Sequence, residues 1–336
     1  MPEIVAAIAG FATLAYALLG GADFGGGVWD LFASGPRKTQ QRTAIAHAMG
    51  PVWEANHVWL IFLVVLLFSA FPPVYAALST ALFVPFHLVL LGIVLRGAAF
   101  VFRAYGRRAG SEITASERGW GVVFGASSTI TPFLLGACMG AVSSGHIRVA
   151  GATVQTIGVP WLTPMSLLTG AMALALCAYL AAVYLTIETN DDLQRDFRRY
   201  ALLAGTATVA LSIGALPVMR AEAPHLWHGL FSPRALPILI VGVVAALLAG
   251  WALRQSWFRI ARAAAIVQIA ALLTGWFAAA YPYIVYPDLT LASAAAPPAA
   301  LRFFLVAMPI GAALLGPSLY YLFRVFKRPA DSSAMK

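Results

Sequence analysis

Apolar residues in this chain run in long blocks, and polar residues gather in the short gaps between them. A helix needs about 20 mostly apolar residues to cross the hydrocarbon of a bilayer. Nine blocks qualify: 4–33, 52–70, 75–102, 119–142, 162–187, 199–219, 235–253, 260–284 and 300–325. They lack the alternation of polar and apolar positions that a membrane barrel strand requires. Lipid gives the backbone no hydrogen-bond partners, so each block is predicted to be a helix. The fold class is therefore all-α integral membrane, with residues 1–336 as a single transmembrane domain of about nine helices. The longest gaps, near 34–51, 103–118 and 143–161, are too short for a soluble domain. No internal repeat or low-complexity linker is visible.

Composition strengthens this picture. The chain has 336 residues, 61% hydrophobic and only 10% charged, against about 25% charged in soluble domains. The formal net charge of +9 raises the question of nucleic acid, and the placement of the charges answers it. Of 22 Lys and Arg residues, seventeen fall in the gaps after spans 1, 3, 5, 7 and 9. Four (Arg148, Arg220, Arg234 and Arg302) fall on the opposite side, and Arg96 lies inside span 3. Such asymmetry is a positive-inside signal. It predicts an outer N-terminus, a cytoplasmic C-terminus and no nucleic-acid partner. The first block has no basic leader and no convincing cleavage site, so it reads as a retained span. Cys138 and Cys177 lie in apolar stretches and read as small packing residues, with no disulfide framework.

Ionisable groups inside spans are costly, which makes each a functional candidate. They are Asp23, Glu54, His57, His87 and Arg96, with Asp30 and His47 near a cytoplasmic end. Asp23 sits in GGADFGGGVWD, about 14 Å from the inner end of span 1 by helical rise. Gly21 and Gly25 around it have GxxxG spacing, which lets another helix approach closely. Glu54 sits in GPVWEANHVWL, in the first turn of span 2, where the helix dipole favours an anion. His57 follows three residues later on the same face and, beside a carboxylate, can relay protons. Arg96 needs an anion: Glu54, Asp23, a lipid phosphate or a haem propionate. Snorkelling to the interface is the alternative. Ser127, Ser128, Thr129 and Thr131, with Pro132, either line a path or bond neighbouring backbone. Trp53 and Trp59 either pack against a cofactor or partner or belong to an aromatic belt. His57 and His87 are weak haem-ligand candidates, since no two histidines share a helix at a pairing distance. His225 and His228 have only a weak metal spacing. Placed on the predicted topology, Glu54 stands at the mouth of a cytoplasmic inlet and Asp23 deeper.

GGADFGGG (20–27) and WEANHVWL (53–60), with AFPPVYAAL (70–78) and Arg96 late in span 3, resemble subunit II of the cytochrome bd-type quinol oxidases. The specific resemblance covers roughly the first hundred residues. Gly20 replaces the first acid of the family's DGFD-like segment, and Glu54 replaces the usual Asp of WDGN, a pattern similar to the shorter, cyanide-insensitive branch. The resemblance implies two four-helix bundles plus one peripheral helix. It implies a bacterial inner-membrane complex that oxidises ubiquinol or menaquinol and reduces dioxygen to water, generating proton-motive force. Haem b and haem d, and the quinol site, would lie mainly in a haem-bearing subunit I. A small single-span accessory subunit and a bound structural quinone or lipid are further expectations. Asp23 and Glu54 match proton-path acids, and Trp59 matches a residue near a proposed oxygen route. Two other readings remain open on sequence: a secondary transporter or channel, suggested by the glycine-broken first span, and a purely structural assembly subunit.

Overall fold

The computed structural model describes residues 1–49, 53–106 and 115–326, without the side chains of 53, 54, 104–106, 115–117, 322, 323, 325 and 326. The first half holds α1 (Pro2–Phe32), α2 (Lys38–Met49), α3 (Trp53–Asn56), α4 (Val58–Ala70), α5 (Pro72–Ala81), α6 (Phe83–Gly106) and α7 (Ala115–Ser143). After a hairpin of β1 (Ile147–Ala150) and β2 (Thr153–Thr156) come α8 (Pro164–Glu188), α9 (Asp191–Glu222), α10 (Pro224–Leu230), α11 (Leu236–Arg254) and α12 (Phe258–Ala280). A second hairpin, β3 (Tyr283–Val285) and β4 (Leu289–Thr290), leads to α13 (Pro298–Phe326). Among the described residues, eight helices are long and apolar enough to cross a membrane, or nine if the bent pair α4 and α5 counts as one span.

That pair is where the chain departs from the simple block pattern. The segment 52–70 is not one straight span. It breaks at His57, between α3 and α4, and α4 meets α5 at a bend of 118°. Phe71 adopts φ −134°, ψ 60° at the corner, and Pro72 and Pro73 follow. Proline fits the first turn of a new helix but cannot continue an old one, so α4 stops here. With 13 residues, α4 is about 20 Å long. The block that starts at 75 accordingly begins in α5, and α6 starts after a further break at Leu82.

Helices α1, α4 with α5, α6 and α7 form one bundle, and α8, α9, α11 and α12 form a second. They join where α1 and α7 pack on α8. Helix α13 lies outside, touching α4 and α1, with Phe303 and Leu314 largely exposed to the surroundings. The seam between bundles depends on small residues. A Cβ added to Gly25 would lie 1.8 Å from the Cys177 carbonyl oxygen of α8, so the α1 and α8 backbones approach as closely as membrane helices can.

The connections divide into two groups by contact. At one end Arg37 forms a two-pronged pair with Asp196 (2.8 and 2.7 Å), Arg103 pairs with Asp30, and Arg198 donates to the Arg254 carbonyl (2.6 Å). The C-terminal ends of α1, α6 and α11 and the start of α9 therefore share one basic end. At the opposite end the two hairpins meet. β1 pairs antiparallel with β2 (Ile147 opposite Thr156), Arg148 pairs with Asp288 at 2.8 Å, and the Val149 amide donates to the same carboxylate at 2.8 Å. The Arg148 guanidinium beside Asp288 holds that carboxyl below its usual range. The alternating charge of the sequence thus appears as two physical ends of the molecule.

Candidate functional site

Helix α1 carries Tyr16, Gly20, Asp23, Phe24 and Gly27 along one stripe, at the spacings that put side chains on a common face. The break at His57 turns α3 toward that stripe. Asn56, at the end of α3, is buried and donates Nδ2–H to Asp23 Oδ2 at 2.5 Å. His57 Nδ1 lies 3.3 Å from the Tyr16 hydroxyl. The Phe24 ring meets Tyr16 and His57 edge-on, with centroids 6.4 and 5.9 Å apart. Two polar contacts, Asp23 with Asn56 and Tyr16 with His57, therefore lie side by side, with the Phe24 ring packed on the second.

Arg96 of α6 approaches the same group from the other side. It is 1% exposed, so it does not snorkel. Its Nε donates to Ser128 Oγ of α7 at 3.1 Å, and its guanidinium carbon lies 4.9 Å from the Phe24 ring centre and 5.4 Å from that of Phe124. Asp23, Tyr16 and Cys177 are within electrostatic range of this charge. A buried guanidinium costs several kcal/mol in desolvation. The hydroxyl, the negative faces of two aromatic rings and a carboxylate each offset part of that cost. Gly27 permits the arrangement, since a Cβ there would sit 2.1 Å from Ser128 Oγ.

A second charged pair stands nearer the basic end. Arg103, two turns after Arg96 on α6, makes a forked pair with Asp30 of α1, 3.1 Å on each prong. Asp30 is 1% exposed, and Arg42 of α2 donates to its carbonyl at 3.1 Å. Phe124 lies beside both cations, 5.3 Å from Arg103 and 5.4 Å from Arg96. From the basic end inward the order is Asp30 with Arg103, Phe124, Arg96, then Asp23 with Asn56. On α7, Ser127, Ser128 and Thr131 are buried beside this column. Among the described residues the Thr131 hydroxyl finds no hydrogen-bond partner, and Thr129 bonds its own helix at Gly125.

The structure thus brings Asp23, His57 and Arg96 into one neighbourhood. The side chains of Glu54 and Trp53 lie outside the described residues. Trp59 packs edge-on with Phe11 at 5.6 Å, twelve residues along α1 from Asp23. His87 is exposed and bonds the Phe83 carbonyl of its own helix at 2.7 Å, and His47 is exposed. His225 stacks on Tyr286 at 5.0 Å, at the hairpin end. Among the described residues no three His, Cys, Asp or Glu groups gather as a metal site. Sequence reasoning missed Tyr16, Asn56, Phe24, Phe124 and the pairing of Asp30 with Arg103. A tyrosine inside span 1 and an asparagine between Glu54 and His57 were the available signals.

The family model for cytochrome bd terminal oxidase subunit II matches residues 1–326. The chain belongs to that family. It is 24% identical over 333 residues to a Bacillus subtilis (strain 168) protein provisionally named cytochrome bd menaquinol oxidase subunit II, covering 93% of this chain and 92% of that one. It is 30% identical over 230 residues to the cytochrome bd ubiquinol oxidase subunit 2 of the same strain, covering 68% of this chain and 66% of the other. The solved bd oxidase from Geobacillus thermodenitrificans has a chain of the same fold, with a TM-score of 0.79 at 22% identity over 97% of this chain and 98% of that one. The chain is accordingly a multi-pass inner-membrane subunit of a bd-type terminal oxidase, a complex that contains haem and a partner subunit.

Proposed function

We propose that this subunit supports a haem-bearing subunit I and supplies a proton inlet from the cytoplasm to the oxygen-reducing site. The relatives' names, ubiquinol oxidase and menaquinol oxidase, support a quinol as the electron donor of the whole complex. In this reading haem b, haem d and the quinol-oxidising site belong to subunit I, and the haems supply the electron transfer and dioxygen reduction. The basic end, which carries most of the Lys and Arg, faces the cytoplasm by the positive-inside rule.

The observation that carries the reading is a buried Arg96 beside an Asp23 that is hydrogen-bonded by Asn56, all in the basic half of the first bundle. Each has a plain role. Glu54 collects protons near the surface, and Asp23 accepts them within. Asn56, which cannot itself titrate, fixes one Asp23 oxygen. Arg96 balances the charge of Asp23 when its proton has moved on, which favours an acid partner for Arg96 over a haem propionate. His57 and Tyr16, 3.3 Å apart, extend the polar track, since imidazole and phenol both donate and accept. Trp53 and Trp59 serve packing or an oxygen route. The test is co-purification of this chain with a haem-bearing partner, followed by quinol-dependent oxygen uptake. A haem-free, inactive preparation of the intact complex would overturn the assignment. An active complex whose turnover is unaffected by Glu54→Gln and Asp23→Asn together would overturn the inlet alone.

A further inference from the structure

The second bundle carries a surface feature that the inlet does not use. Between α11 and α12 a groove of about 550 Å³ opens to the surroundings. Its walls are Val241, Val244 and Leu248 of α11 and Ala263, Ala264 and Val267 of α12. The buried Ala245 and Ala264 make the floor, and the α11 side chains Val241, Val244 and Leu248 are exposed although fully apolar. The one charged lining residue is Arg259, at the basic end. From Arg259 to Val267 the groove follows α12 for about 12 Å.

Arg259 also lines a second, more polar hollow, shared with Gln194, Ser256 and Trp257. Arg198 reaches the edge of this hollow, donating to Ser256 Oγ at 3.1 Å. Arg254 and Arg262 are exposed nearby. Trp251 and Trp257 form an edge-to-face pair at 4.8 Å, both about half exposed. Exposed tryptophans mark the level where hydrocarbon gives way to headgroups. An apolar slot thus runs into a cationic, hydrogen-bonding hollow at that level, and Arg259 stands at the junction.

We infer that this groove is a binding site for one anionic phospholipid. Its acyl chain lies between α11 and α12, and its phosphate rests against Arg259. The chemistry selects this occupant. The slot needs a flexible apolar chain, while the hollow needs an anion with oxygens for Arg259 and Ser256. A zwitterionic lipid satisfies the first demand but brings its own cation into a cluster of arginines. Free phosphate satisfies the second and leaves the slot unfilled.

The experiment uses the intact, delipidated oxidase complex. Native mass spectrometry follows the addition of phosphatidylglycerol, of phosphatidylcholine with the same acyl chains, or of inorganic phosphate. Wild type is expected to retain one phosphatidylglycerol more tightly than phosphatidylcholine, and millimolar phosphate should not displace it. One cation near a membrane surface corresponds to about a fivefold change in affinity. Arg259→Ala should therefore weaken phosphatidylglycerol roughly fivefold and phosphatidylcholine by less, narrowing the preference, while Arg259→Lys keeps most of it. Val267→Trp, two turns along α12 from Arg259, narrows the slot away from the charge and should weaken both lipids. Equal binding of the two lipids by wild type would overturn the proposal, as would displacement by phosphate or unchanged selectivity in Arg259→Ala.

Discussion

The first bundle holds Arg96 at its centre and Asp23 and Asn56 beside it. The second, of similar helix length, is filled by alanines such as Ala182, Ala201, Ala249 and Ala265. Its one buried acid among the described residues, Asp196, lies at the very start of α9 and is paired with Arg37. Both bundles close through small residues, so close helix packing in lipid does not call for charge. A guanidinium that costs several kcal/mol to bury therefore reflects something other than the fold. This contrast in buried charge is what supports placing the proposed inlet in the first bundle.

The largest effect should come from taking away the buried cation. Arg96→Met leaves Asp23 without its compensating charge, and breaking a buried pair in this way costs about 3–5 kcal/mol. Thermal unfolding of the complex should show the loss, and adding Asp23→Asn to Arg96→Met should recover part of it. If the double variant is less stable than Arg96→Met, the two groups are not coupled as described.

Next comes the seam shared by both bundles. Gly25→Ala places a methyl group 1.8 Å from a backbone carbonyl, and overpacking of this kind costs about 1–3 kcal/mol. Gly250→Ala in α11 meets no atom within 4 Å and should cost nothing, raising stability by up to about 1 kcal/mol through helix propensity. Equal melting temperatures for the two variants would mean that the α1–α8 approach is looser than it looks.

The smallest effect concerns the hairpins, which lie outside both bundle interiors. Asp288 is held below its usual carboxyl range by Arg148. A lowered folded-state pKa means that the carboxylate stabilises the hairpin contact at every pH above its unfolded value, about 3.9. That contribution is lost as pH falls through the lower folded value. Val149 donates its amide to this carboxylate, so its hydrogen-exchange protection, corrected for intrinsic rate, should hold at neutral pH and fall below about pH 4. Asp288→Asn should remove the pH dependence and leave the Asp23 neighbourhood unaltered.

The sequence made some of this visible and hid the rest for physical reasons. Alternating basic gaps are a composition signal, and they reappear as the contacts of Arg37, Arg103 and Arg198 at one end. Buried charges such as Asp23 and Arg96 stand out against apolar spans because they are costly there. The 118° corner after Ala70 is hidden, because hydropathy averages over Pro72 and Pro73 and treats two short apolar helices like one long one. The pairing of Asp30 with Arg103 is hidden for another reason. Arg103 reads as one more loop charge until α1 and α6 are packed side by side. Asn56 is hidden because a neutral amide between an acid and a histidine carries less signal than either, although it bonds Asp23.

The central claim is that Asp23, balanced by Arg96 and oriented by Asn56, carries protons inward from the basic end. It is tested most directly by replacing Asp23 with Asn, which keeps the shape and an oxygen for Asn56 but cannot release a proton. Quinol-driven oxygen uptake and proton uptake are measured together in proteoliposomes, with haem content and partner content as controls. Loss of a positioned acid–base group typically slows a step by about 10²–10⁴-fold. Both rates are expected to fall together by at least tenfold at normal haem content, with Asp23→Glu recovering a large part. Wild-type oxygen and proton uptake in the Asp23→Asn complex would contradict the account.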